Sequence, residues 1–161
     1  MSEILETENQ EADELEGLKE EKYLIFSILG RQFSFPSHLI SEIALFDTVY
    51  PLPLLPPYVL GVINRYSIPY ALFDVGLLLF NEESPRSKVL VLKDEIDRIA
   101  FLIDDVIGIA DVAPEEMLIV EQSAESTYKT EAVSASFCWK DEDVFVLDIR
   151  KILAHITEET V

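Results

Sequence analysis

Between Lys22 and Ile149 the chain is cut into apolar runs too short for long helices. "KYLIFSIL" is followed by "GR" and then by "QFSF", which Pro36 ends. After the prolines at 51, 53, 56 and 57 come "YVLGVIN" and "IPYALFD", facing each other across "RYS". A polar break, "NEESPRS" (81–87), precedes "KVLVLK", "RIAFLID", "DVIGIADV", "AVSASFCW" and "VFVLDI". Short runs rich in β-branched and aromatic residues, bounded by turn formers, predict strands. Their spacing favours barrels or a sandwich over alternating βαβ units. "HLISEIALF" is expected to begin with one helical turn before becoming a strand. The end of the chain departs from this rhythm. In "DIRKILAHI", Ile149, Ile152, Leu153 and Ile156 share one helical face behind Asp148, a residue type that caps helices.

Charge narrows the possible partners. The 161 residues include 31 acids and 12 bases, for a net charge of −19. Such a chain repels phosphate backbones and anionic lipid, so binding to nucleic acid or insertion into a membrane is not expected. With 49% apolar residues, the charge must segregate into a shell around a packed interior. Residues 1–21 hold nine acids and one lysine and lack aromatics. They are expected to form a disordered acidic tail, in which Ile4, Leu5, Ala12, Leu15 and Leu18 leave room for a transient amphipathic helix. The folded domain is then 22–156, with a break between two halves near 81–87 and a short tail at 157–161. The N-terminus has neither a basic nor an apolar signal region, and the single cysteine, Cys138, precludes an internal disulfide. A cytoplasmic location is expected.

No catalytic set converges. His38 and His155 lie far apart, and neither has a second ligand at metal spacing. Cys138, beside Trp139 in an apolar strand, is expected to be a buried small hydrophobe. Asp104 and Asp105 are adjacent on an expected strand, so their side chains point to opposite faces and share no proton. "DEID" (94–97) and "DED" (141–143) read as exposed hairpin tips without the spacing of a calcium loop. Five glycines supply no phosphate cradle. The expectation is a binding protein with no cofactor, no metal and no enzymatic activity.

Six segments in order resemble the CheW-like domain of bacterial chemotaxis. "KYLIFSILGRQFSFP" is similar to that family's opening hairpin, and "LISEI" places Glu42 and Ile43 in its Val-x-Glu-Ile motif. "PLPLLPPYVLGVIN" matches the family pattern at Pro53, Pro56, Tyr58, Gly61 and Asn64. "LFDVGLLL", "IAFLIDDVIGI" and "VFVLDIRKIL" are similar to the three later motifs. The resemblance spans Lys22 to about Ile156. It implies a mainly β fold of two small SH3-like five-stranded barrels packed on a shared core, with a short C-terminal helix.

The same resemblance implies a non-catalytic adaptor. It would bridge the cytoplasmic helical tips of chemoreceptors to the CheW-like domain of a histidine kinase, in arrays associated with the membrane. Receptor contact would fall to Ile40, Glu42, Asn64, Arg65 and Tyr66, and kinase contact to Val59, Leu60 and Gly61. One departure touches these positions. The family reads Asn-Leu-Arg-Gly where this chain has Asn64-Arg65-Tyr66-Ser67, so an ungapped count sets Tyr66 in the arginine's place and Ser67 in the glycine's. Pro69 also comes two residues early. The alternative reading is a diverged adaptor whose altered turn selects another partner, or binds the kinase without standard receptor coupling.

Overall fold

The computed structural model describes residues 20–93, 97–119 and 132–160. Eleven strands and two helices are assigned within them. The first sheet contains β1 (Glu21–Ile28), β2 (Arg31–Pro36), β8 (Asp105–Val112), β9 (Leu118–Ile119), β10 (Val133–Trp139) and β11 (Glu142–Leu147), in the order β8-β1-β2-β11-β10-β9. The second contains β3 (Ile40–Leu45), β4 (Val59–Arg65), β5 (Ile68–Phe73), β6 (Lys88–Leu92) and β7 (Ile99–Ile103), in the order β3-β6-β7-β5-β4. Helix α1 (Val75–Phe80) follows β5, and α2 (Ile149–Thr160) closes the described chain. A 3-10 turn at Ser37–Leu39 leads into β3, as the sequence suggests.

Three hairpins turn through two residues of positive φ: Leu29 and Gly30, Tyr66 and Ser67, Lys140 and Asp141. Positive φ at both central positions matches the right-handed twist of the flanking strands, which is why such turns dominate tight hairpins.

Burial explains why several strands read as continuous apolar runs instead of alternating ones. Leu24, Phe26 and Ile28 of β1 enter a large cluster with Phe33, Phe35, Phe73, Leu90, Phe101 and Leu147, drawn from both sheets. Tyr23 and Ile25, on the other face of β1, pack with Phe137, Val144 and Val146 inside the first sheet. In the same way β6 sends Leu90 and Leu92 to the shared core, and Val89 and Val91 to a cluster with Ile63, Tyr70 and Leu102 inside the second. Strands buried on both faces carry hydrophobic residues on both. Phe35 and Phe101 stack across the junction at 5.5 Å between ring centroids.

Each sheet curls over its own small core. Trp139 of β10 lies against Gly108 of β8, where an added Cβ would come within 2.9 Å of the indole. Arg65 of β4 bonds Glu42 of β3 and so joins the two edge strands of the second sheet. The mainly β pair of SH3-like subdomains on a common core is the arrangement found.

Four expectations need correction. Residues 81–87 do not separate the two sheets, because they join α1 to β6 within the second one. The second subdomain is instead inserted between β2 and β8, and parallel pairs β2–β11 and β5–β7 tie distant segments together. The first sheet has six strands instead of five, since the two-residue β9 adds to its edge through Leu118 and Ile119. Helix α1 was not expected; Asp74 caps it by accepting from Leu77 N at 3.2 Å, and also binds Ser84 through its N at 3.0 Å and its Oγ at 2.6 Å. Cys138 is exposed, on the outward face of β10, while Phe137 takes the buried position beside it. The expected N-terminal tail through residue 19, residues 94–96 of the "DEID" tip and the side chain of His155 lie outside the described residues.

Candidate functional site

Strand β3 is an edge strand, and its residues alternate: Ser41, Ile43 and Leu45 face out, while Ile40, Glu42 and Ala44 are half-buried. Period-two alternation sets this pattern. Glu42 Oε1 accepts a hydrogen bond from Arg65 Nε at 2.7 Å, with side chains 26% and 31% exposed respectively. That bond comes first among the causes that hold the Arg65 guanidinium above its ordinary pKa. Arg65 is the last residue of β4, paired in register with Ile68, and the turn proper is Tyr66–Ser67. Within "NRYS" it is thus Arg65, at the strand end, that meets the glutamate of the "SEI" segment.

Tyr66 is 82% exposed, and its ring lies 5.2 Å from the Arg65 Cζ. Asn64 is exposed opposite Pro69. Of the five residues expected to meet a receptor, Glu42, Arg65 and Tyr66 form one connected group. Ile40 and Glu42 line a groove of about 230 Å³ with Leu24, Ser37 and Ile43. Leu24 belongs to the first sheet and Ile40 to the second, so the groove lies at the junction of the two subdomains. A second depression, of about 130 Å³, lies beyond the Glu42–Arg65 pair and includes Asn64, Arg65, Tyr50 and Asp47 in its lining.

Val59, Leu60 and Gly61 lie elsewhere, at the bulged start of β4. Val59 packs on the shared core, and Leu60 packs on the core of the second sheet. Gly61 is buried beneath the Tyr50 main chain, which exchanges hydrogen bonds with Val62 at 2.8 and 2.9 Å. The surface these residues support is the preceding loop, where Leu52 and Leu54 are exposed. Sequence reasoning passed over Leu45, Tyr50, Leu52 and Leu54. Alternation along "ISEIAL" was a signal for Leu45, whereas the loop residues follow no period.

Among the described residues no group of three or more His, Cys, Asp or Glu side chains could hold a metal ion. None of the described helices is long and apolar enough to cross a membrane.

Comparison with known proteins bears on the same segments. No curated protein matches closely enough to count as a relative. Among solved structures, the scaffolding protein TtCheW from Thermoanaerobacter tengcongensis is similar in fold, with a TM-score of 0.71 at 13% identity, over 80% of this chain and 84% of that one. The family model of the CheW-like domain matches residues 22–157. The chain belongs to the CheW-like domain family.

Proposed function

We propose that the protein is a non-catalytic cytoplasmic adaptor of chemotaxis-type signalling, bridging the helical tip of a chemoreceptor to the CheW-like domain of a histidine kinase. Membership of the family supports the scaffold role in general. The observation that carries the receptor half is the groove at the junction of the two sheets. Its walls are Leu24, Ile40 and Ile43, and the Glu42–Arg65 pair stands at its rim. An apolar trough with a polar edge receives one face of an amphipathic helix, which places side chains at i, i+3, i+4 and i+7 into it. Tyr66 and Arg65, an exposed aromatic and a fixed guanidinium, are residue types that anchor interfaces.

The kinase half is assigned to the start of β4 and the loop before it. There Val59, Leu60 and Gly61 hold the backbone on which Leu52 and Leu54 project. The two surfaces differ, so both partners can bind at once. The test is sedimentation of the full chain with a soluble chemoreceptor-tip fragment, with the kinase's CheW-like domain, and with both. A complex of all three is expected. Kinase binding without receptor binding would favour the diverged adaptor, and binding of neither would remove the proposal.

A further inference from the structure

We infer that the cleft at the C-terminal end of β3 is a subsite for a cationic side chain, an arginine or lysine carried by the helix that docks in the neighbouring groove. The inference rests on the groove reading and adds the chemistry of the partner.

The cleft is built before any partner arrives. Its loop is pinned at one end by Phe46 N donating to Ser87 O at 2.9 Å, and at the other by the Tyr50–Val62 bridge. Ala44, Ile63 and Val89 contribute apolar lining, and Asp47, Thr48, Tyr50, Asn64 and Arg65 supply polar groups. Leu45 and Tyr50 are 76% and 59% exposed at the edge. A long basic side chain uses such a place well, since its methylenes lie on apolar surface while its head reaches a carboxylate or a ring face.

The sign of the charge follows from the partners already made. Among the described residues Arg65 is the one cation in the lining, and its charge is offset by Glu42, which accepts from its Nε at 2.7 Å. Asp47 is exposed and, among the described residues, accepts from the Thr48 hydroxyl alone, at 3.3 Å. Arg86, nearby in the fold, stacks on the Phe46 ring at 5.5 Å, and among the described residues no cation pairs with Asp47. A net charge of −19 also steers basic partners toward this surface. A second copy of this chain is a poor occupant, because it brings the same acidic field.

Spacing can be stated. Five steps along β3, from Ile40 to Leu45, cover roughly 16 Å at about 3.3 Å per residue. A helix laid along the strand covers that distance in about 11 residues. The basic residue should therefore stand about three turns from the apolar residue that fills the groove.

The test is a titration of the ¹⁵N-labelled full chain with N-acetyl-arginine amide, and with N-acetyl-citrulline amide as its neutral isostere. Shifts concentrated at 47–50 and 64–65 are expected for the arginine probe alone, with Asp47→Asn weakening binding at least threefold. Shifts spread evenly over the acidic surface, equal binding of citrulline, or indifference to Asp47→Asn would overturn the subsite. Loss of the probe site with retained binding of a chemoreceptor-tip fragment would remove the subsite and leave the groove reading standing.

Discussion

At Gly61 the backbone runs at φ +141°, and a Cβ added there would collide with the Tyr50 carbonyl oxygen and lie 2.8 Å from Pro51 Cα. Both the conformation and the close approach require glycine. Gly61→Ala should cost about 2–4 kcal/mol of stability, read from the midpoint of urea unfolding, and an unchanged midpoint would contradict the local geometry. Tyr23 is the second residue with a measurable consequence. Burial first, then the charge and hydrogen bond of Glu21, push its phenol up to about 12 from 10. The folded state therefore favours the neutral phenol. The stability this contributes is fully present below pH 10 and is lost as the pH rises to about 12. Because Glu21 is exposed and its bond with the phenol only part-buried, the effect should be on the order of 1 kcal/mol. Tyr23→Phe should flatten the alkaline loss between those limits, and equal losses in the two proteins would exclude the assignment. Gly61 and Glu42 were legible in the sequence as family positions. The exposure of Cys138 was not, because "SFCW" alternates in register and neighbouring letters alone do not say which phase faces inward.

The hairpin between β4 and β5 shows how an element can carry both a conformational cost and a role. Tyr66 and Ser67 hold φ of 51° and 66°, a region that suits Asn and Gly far better. Replacing the pair with Asn-Gly should raise stability by about 1 kcal/mol, since each non-glycine residue in that region costs about that much. The same change should lower affinity for a receptor-tip fragment by removing the exposed ring. A stabler protein with undiminished affinity would deny Tyr66 its part in the contact. Strands and their hairpins were readable because turn residues and apolar runs punctuate the chain sharply. Helix α1 was not. "VGLLLF" is six residues of unbroken apolar character containing a glycine, which periodicity cannot tell from a buried strand. Its signals are at its ends, where Asp74 caps it and Asn81 leaves it at φ 58°.

Across the whole molecule, the second sheet interrupts the first, and one cluster of large side chains binds them. Local sequence cannot reveal that interleaving, since the parallel pairs β2–β11 and β5–β7 join strands far apart in the chain. Nor can it reveal the groove, whose walls come from Leu24 and Ile40 on different sheets. The family resemblance named Glu42, residue type supported Arg65 and Tyr66, and only the fold shows that the three meet. The account stands on that groove being the place where a helix docks. Its most direct test is calorimetric titration of the full chain with a soluble chemoreceptor-tip fragment, comparing wild type with Ile43→Asp and with Ile109→Asp on the other sheet. Ile43 and Ile109 are 38% and 60% exposed, so both variants should fold, with the thermal midpoint of each as the check. The predicted result is a loss of at least about tenfold in receptor affinity, or 1.4 kcal/mol, for Ile43→Asp and none for Ile109→Asp. Unchanged affinity in a folded Ile43→Asp protein would contradict it.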